Sequence, residues 1–368
     1  MTPAVPSSAR ALPKPVLVRS SPEVHSWLVE SEGGASLSLT WAHRAEQSVP
    51  AWERSHARGE VPSVWPYGLD ALRDHAAVEV VDLPPPGRVA RVRARLGIEP
   101  RPVEGLAVTW DENTAYRLQI LHPRVRYATG VIWLTDMAQA GPAPARLLSM
   151  LGGAESAWVL SEGQIDPLRR LLGSRGPRVF PIPFGIDSDF FGAQPSPTQP
   201  RIVSVGNDRD RDPATLYAAL ARVLAARPDT EVVVQTGSDL VPPEGVRVVR
   251  HMPHAELRDL YATASVIVVP TRPNLHGSGM TVALEALATA RPVVVSDTPG
   301  MSQYVSEGRT GHLVPPGDAE QLGRAVLGLL DDPQRAAELG RNGRIEVERS
   351  FTTQIMVAAL VQGLLQRV

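Results

Sequence analysis

The chain has 368 residues, 43% of them hydrophobic and 21% charged, and a formal net charge of −2; this is the profile of a soluble globular protein of two ordinary domains, and it argues against a nucleic-acid binder. With no cysteine, disulfides, thiolate catalysis and cysteine-held metal are excluded. No apolar run approaches the roughly 18 residues of a membrane span, and residues 1–15 carry four prolines and no apolar core, so neither a transmembrane segment nor a secretory signal is expected and the cytoplasm is the expected compartment.

In chain order, residues 1–34 show no assignable pattern. A strand is expected over 35–41, a helix over 67–75 and a strand over 78–83. The intervening stretch 44–66 holds Trp52 and Trp65 and is long for a strand-to-helix connection, which marks it as a functional loop. Arg88, Arg91, Arg93 and Arg95 surround a short helical stretch with Val89 and Val92. A solvated face is the first reading, and peripheral contact with an anionic membrane or acceptor is the other. Strands are expected over 105–110 and 126–134, with Asp111-Glu112-Asn113 opening a helix between them. Strand 156–161, helix 164–172 and strand 178–182 follow. Residues 191–200, rich in Pro, Gly and Ser, read as the linker. Beyond it come strand 201–205, helix 213–226, strands 231–236 and 246–250, helix 254–264, strand 266–269, helix 280–290 and strand 293–296. The last segment, 353–368, is amphipathic. Strand and helix alternate with short links, which predicts parallel sheets covered on both faces: an α/β protein of two Rossmann-like domains. All seven tryptophans lie between residues 27 and 158, so the two halves have different jobs.

The most informative stretch is 265–300. Val266 to Val269 is an apolar β-branched run; His276-Gly277-Ser278-Gly279 is a loop that only small residues allow; Met280 opens a helix. A glycine loop feeding a helix presents unpaired N–H groups and the positive end of the helix dipole, which suits a phosphate. An N-cap by Ser278 would look similar in sequence. Glu285 lies four residues after Thr281, on the same helix face and about one turn deeper. Its carboxylate could accept two hydroxyl hydrogens from a ribose, so the segment reads as a nucleoside-diphosphate site. The loop Gly206-Asn-Asp-Arg-Asp-Arg-Asp-Pro213 contains Asp-x-Asp spacing twice, at 208/210 and 210/212, which can hold a divalent metal. Arg209 and Arg211 would neutralise those carboxylates, and no metal is expected. Since Lys14 is the only lysine, any phosphate clamp in the folded body must be arginine.

Leu284-Glu285-Ala286 on that helix resembles the second half of the donor motif of the retaining glycosyltransferases of family 4, the glycosyl transferases group 1, which have the GT-B fold of two facing Rossmann-like domains. Ser161-Glu162-Gly163-Gln164, the run from Pro181 to Asp187 and the run from Gly308 to Asp318 are similar too, and the resemblance is nearly continuous over 155–350. The family's first Glu, which faces the transferred sugar, is absent. An ungapped count puts Gly277 at its position; aligning the glycines puts His276 there. The resemblance implies that Gly206, Arg209 and Arg211 reach the diphosphate. It implies that the loop amides of Ser278, Gly279, Met280 and Thr281 cradle it, and that His276 contacts sugar or phosphate. Asp111 or Glu112 stands near the family's sugar-contacting histidine, Gly68 near its N-terminal glycine loop, and Asp136 faces the expected cleft.

The expected organisation follows. Residues 1–192 form the acceptor-side domain, 193–200 a linker, 201–350 the donor domain, and 351–368 a helix crossing back to the N-terminal domain. The activity implied is transfer of a glycosyl group, with retention and without a metal, from a nucleotide sugar to an acceptor hydroxyl on a small molecule or glycan. UDP- and GDP-sugars are the first donors expected, and no cofactor is expected. A non-catalytic nucleotide-sugar-binding partner protein and an isomerase like the UDP-N-acetylglucosamine 2-epimerases are the alternatives. The arginine- and alanine-rich composition points to a bacterial source of high GC content.

Overall fold

The computed structural model describes residues 38–96, 98 and 103–366. The segment 1–34, Lys14, the expected strand start at 35–37, the side chain of Arg95 and residues 367–368 lie outside the described residues. Two six-stranded sheets form the frame. The first contains β1 (Ser38–Arg44), β2 (Ala77–Leu83), β3 (Leu106–Thr109), β4 (Tyr127–Gly130), β5 (Ser156–Val159) and β6 (Arg178–Pro181), in the order β2-β1-β3-β4-β5-β6. The second contains β7 (Arg201–Val205), β8 (Glu231–Gln235), β9 (Val246–Val249), β10 (Val266–Val269), β11 (Val293–Ser296) and β12 (Gly311–Val314), in the order β12-β11-β10-β7-β8-β9. Every pairing is parallel. The β-branched runs of β10 and β11 are buried along their whole length, as strands covered on both faces must be.

The strand orders locate the site. In open parallel sheets ligands bind outside the carboxyl ends of the strands, where the order reverses. In the second sheet that point lies between β7 and β10, whose following loops carry residues 206–212 and 270–279. In the first sheet it lies between β1 and β3, followed by residues 45–66 and by Trp110 and Asp111.

Residues 182–200 connect the sheets without regular structure. Ile186 bridges to Thr352, and helix Thr353–Leu365 then packs on residues 66–74 and on β5. Gly363 permits that return: a Cβ there would lie 1.9 Å from a ring carbon of Phe180. One buried apolar cluster joins Trp41, Trp65 and Trp158 of the first half to Tyr261, Leu284 and Met356 of the second, so the base of the cleft is continuous core.

The structure differs from the expected elements at two places that matter. The strand expected over 126–134 stops at Gly130, and Leu134–Ala140 is a helix. The amides of Ile132 and Trp133 are taken by the Glu112 carboxylate instead of a neighbouring strand. The helix expected over 67–75 is a 3-10 segment, Pro66–Asp74, kinked where Tyr67 and Gly68 take φ of 62° and 69°. The 44–66 loop contains a helix, Val49–Ala57, capped by the Ser48 side chain, which accepts the Ala51 amide. On helix Arg88–Arg95, Val89 and Val92 are 65% and 54% exposed. No helix among the described residues is long and apolar enough to cross a membrane.

Candidate active site

The loop after β7 is fastened to the loop after β10. Arg211 and Thr271 form an antiparallel bridge, the Asp212 amide donates to the Pro270 carbonyl, and the Arg272 amide donates to the Asp210 carbonyl. This carries the Arg211 guanidinium into a slot between two glycines. A Cβ on Gly206 would lie 2.2 Å from its Nε, and a Cβ on Gly279 2.5 Å from its Nη1. The positive φ at both, 144° and 92°, suits glycine for the same reason. Nε and Nη1 are closed off from solvent and make no hydrogen bond. Burial lowers the pKa of this group, and the charges of Asp208, Tyr261 and Glu285 oppose that. A desolvated cation with idle donors is costly unless an anion completes it. Arg209 is placed differently. Its side chain is 45% exposed, its Nε donates to Asp210, and its carbonyl accepts from Arg272.

Helix Met280–Ala288 starts beside Arg211. Its N-cap is Gly279 in the left-handed region, with no side-chain cap. The Ser278 hydroxyl donates to Asp208 at 2.7 Å rather than capping. Of the four amides expected to form a cradle, that of Ser278 goes to Asn274 Oδ1 and that of Met280 to the Gly277 carbonyl. The amides of Gly279 and Thr281 have no partner among the described residues. The buried Arg211 guanidinium thus lies against Gly279, beside a helix start with two open amides and the positive end of the helix dipole. One turn deeper, Glu285 is buried and accepts the Tyr261 hydroxyl at 2.9 Å. Burial raises its pKa to about 7, while Tyr261 and Arg211 pull in the other direction. Sequence reading missed Tyr261, whose partner Glu285 lies 24 residues on in another helix, and Asn274, which holds Ser278 four residues on within the same loop.

His276 is buried. Its Nδ1 bonds Asp136 at 2.9 Å, and its Nε2 is 3.7 Å from Asp208, an ion-pair distance beyond hydrogen bonding. Asp136, from the first turn of helix Leu134–Ala140, also accepts the Leu275 amide at 2.6 Å. Burial would lower the imidazole pKa, but the carboxylates of Asp136 and Asp208 outweigh it and raise it to about 9. Asp208 is correspondingly held well below the usual carboxylate range; burial opposes this, and His276, the Asp210 amide and Ser278 overcome it. Ligand atoms of Asp208, Asp210 and His276 lie within 4.8 Å of one another, close enough for a divalent ion. Their hydrogen bonds go instead to Ser278, Arg209 and Asp136. Gly277, at φ 71°, packs against Gly300.

On the N-terminal side, Asp111 caps helix Glu112–Leu121 by accepting the Asn113 and Thr114 amides, and it pairs with Arg44 at 3.0 Å. Glu112 is fully buried, and both its oxygens accept backbone amides at 2.9 and 2.8 Å. Asp111 thus serves as a helix cap, and Glu112 as a brace for residues 132–133. Gly68 lines the cleft, seated where a Cβ would lie 2.2 Å from Thr353 Cγ2. Beside it, Tyr67 stacks on Trp110 at 4.3 Å. A cavity of about 610 Å³ opens between the halves, walled by Glu285 and Thr281 on one side and by Trp52, Tyr67 and Gly68 on the other.

Residues 199–332 match the family described as glycosyl transferases group 1. The D-inositol 3-phosphate glycosyltransferase 2 of Catenulispora acidiphila is 30% identical over 215 residues, covering 50% of this chain and 49% of that protein. The alpha-maltose-1-phosphate synthase of Mycolicibacterium smegmatis is 32% identical over 234 residues, covering 54% of this chain and 60% of that protein. The matched part thus spans about half to three-fifths of these curated relatives. Sucrose-phosphate synthase from Thermosynechococcus elongatus superimposes with a TM-score of 0.64 at 19% identity, over 89% of this chain and 98% of that one. The Anabaena protein HepE, solved in complex with UDP and glucose, gives a TM-score of 0.62 at 13% identity, over 89% and 98%. The residues that match the glycosyl transferases group 1 are thus those that carry Arg211, the open helix start and Glu285, set in a chain of GT-B fold.

Proposed function

We propose that this chain is a glycosyltransferase that moves a sugar from a nucleoside-diphosphate sugar to an acceptor hydroxyl, with retention at the anomeric carbon and without a metal ion. The observation that carries the proposal is Arg211: a buried guanidinium with two idle nitrogens, packed against Gly279 at a helix start where the Gly279 and Thr281 amides also have no partner among the described residues. A diphosphate at that point would complete all three. Glu285 would then accept the ribose hydroxyl hydrogens one turn deeper.

In the reaction the bond from the anomeric carbon to the phosphate oxygen breaks, and its electron pair stays on the phosphate. Arg211 and the helix terminus stabilise that charge as it develops. Both are already in place, so no reorganisation is needed at the moment of reaction, and preorganised charge of this kind commonly supplies most of an enzyme's rate enhancement. The acceptor oxygen bonds to the anomeric carbon on the same face, and its proton passes to the departing phosphate oxygen. Arg211 supplies the fixed positive charge that a metal would otherwise bring, and the nearby carboxylates are held by His276, Ser278 and Arg209. The donors proposed are UDP- or GDP-sugars, and the acceptor a small molecule or glycan. No further cofactor is proposed.

A second proposal rests on His276. With the glycines aligned it takes the position of the family's sugar-facing Glu, which an ungapped count gives to Gly277, and its Nδ1 is committed to Asp136. A non-catalytic nucleotide-sugar binder would tolerate that. Melting of wild type and Glu285→Ala against UDP, GDP, dTDP and ADP, followed by product detection with the matching sugar nucleotides, separates the cases. A ligand at a hundredfold excess over its Kd stabilises by about 2.7 kcal/mol. A shift with one nucleotide, lost in the variant, together with sugar transfer, supports the transferase. A shift with no turnover favours the binder. Absence of any shift in folded protein overturns both.

A further inference from the structure

We infer that Trp52 forms the wall against which the nucleoside of the donor stacks, so that nucleotide recognition is shared between the two halves of the chain. This rests on the donor site proposed above.

The cavity holding Glu285 and Thr281 is closed on its other side by helix Val49–Ala57. Ser48, Ala51, Trp52 and Ser55 all line it, and their spacing is that of one helical face. Three of the four are small, which leaves room, and Trp52 is the one large surface. Its indole N–H is already spent on the Ser63 carbonyl at 2.8 Å. That bond fixes the ring and leaves its face as the part on offer. Trp65 anchors the same loop: it is fully buried, stacks on Trp41 at 5.0 Å, and donates its Nε1–H to Glu53 at 3.0 Å. Across the cleft Trp52 meets His254 edge-on, with ring centroids 5.7 Å apart and planes at 74°. His254 begins the helix that supplies Tyr261, the partner of Glu285. The anion end of the site at Gly279 and the carboxylate one turn deeper set a direction for a bound nucleotide. Following it from phosphate to ribose leads into this cavity, where the remaining flat group of a nucleotide is its base. Every base presents a π-face, so a fixed aromatic plate stacks with it without reading its edge.

The test uses the full chain and three ligands: UDP, GDP and inorganic pyrophosphate. Trp52→Ala is expected to weaken the nucleotides about tenfold or more, the usual effect of removing a stacked aromatic, and to leave pyrophosphate binding unchanged. Trp52→Phe is expected to keep most of the nucleotide affinity. Among the described tryptophans only Trp52 lines the cavity. Nucleotide should therefore change the tryptophan fluorescence of wild type, pyrophosphate should not, and Trp52→Phe should abolish the change. Retained pyrophosphate binding also reports that the variants are folded. Unchanged nucleotide affinity in Trp52→Ala, with affinity lost in Glu285→Ala, overturns the inference and leaves the donor site standing. An effect confined to the KM of the acceptor overturns it as well. Failure of wild type to bind either nucleotide overturns the inference and the donor site together.

Discussion

The carboxylate of Asp136 bonds His276 Nδ1 at 2.9 Å from across the cleft, while its other oxygen takes the Leu275 amide at 2.6 Å. The two side chains are 10% and 4% exposed, so this clasp between the halves is little screened by solvent. His276 is raised from 6.5 to about 9 against the opposing effect of its burial. A raised imidazole pKa stabilises the fold fully below 6.5, and the contribution is lost as pH rises through about 9. Melting temperature should therefore fall between these pH values, by the equivalent of roughly 2–3 kcal/mol. In Asp136→Asn the fall should be much flatter. A wild-type profile that is level from pH 6.5 to 9.5 would show that the clasp does not hold a charged histidine.

Arg211 and Arg209 should separate cleanly in mutagenesis. Arg211→Met removes a desolvated cation whose Nε and Nη1 make no hydrogen bond. The ligand-free protein should lose little stability or gain some, because burying an unpaired charge costs free energy. Transfer should drop by about a hundredfold or more, as when a group that stabilises transition-state charge is lost. Arg209→Ala, at a half-exposed side chain, should change activity by less than about threefold, since surface pairs contribute little. Equal losses in the two variants would contradict this geometry. The measurements are calorimetric melting and kcat/KM on the donor.

Nucleotide affinity should depend on the titration of Glu285. Burial raises its pKa to about 7, so in the free protein the carboxyl is largely protonated at pH 6 and largely ionised at pH 8. Only the ionised form accepts two ribose hydroxyl hydrogens. UDP or GDP binding by titration calorimetry should tighten by about tenfold over this range, beyond any change seen in Glu285→Gln. The sign for stability is the reverse: a raised carboxyl pKa stabilises the ligand-free fold below 4.5, and that contribution is lost as pH rises through about 7. Parallel pH profiles for wild type and Glu285→Gln would remove Glu285 from ribose binding.

Gly279→Ala tests the slot. The φ of 92° disfavours any side chain, and the new methyl would lie 2.5 Å from both Arg211 Nη1 and Val269 Cγ1. Expected outcomes are a loss of about 1–3 kcal/mol in stability and loss of pyrophosphate binding as Arg211 is displaced. Gly308→Ala has φ 64° but nothing within 4 Å, so it should show only a backbone cost and keep pyrophosphate binding. Pyrophosphate binding by Gly279→Ala equal to wild type would mean that Arg211 does not serve the anion.

The local devices of this fold were legible in the sequence. The strands at 201–205, 266–269 and 293–296 coincide with the structure, as does the helix at 213–226, because an apolar β-branched run or a 3.6-residue apolar repeat is a property of neighbouring residues. The helix start at Met280 and the placing of Glu285 one turn inward follow from the same local geometry. Tertiary structure alone decided which arginine is buried. Arg209 and Arg211 sit in the same charged loop, and the choice depends on two glycines, Gly206 and Gly279, that come together only when β7 and β10 pair. It also turned Glu112 inward to brace residues 132–133, left Ser278 off the cap, and put Asp136 on His276 and Trp52 on His254. Backbone periodicity acts over a few residues. Contacts between side chains tens to hundreds of positions apart are set by strand order and crossover, which no local pattern encodes.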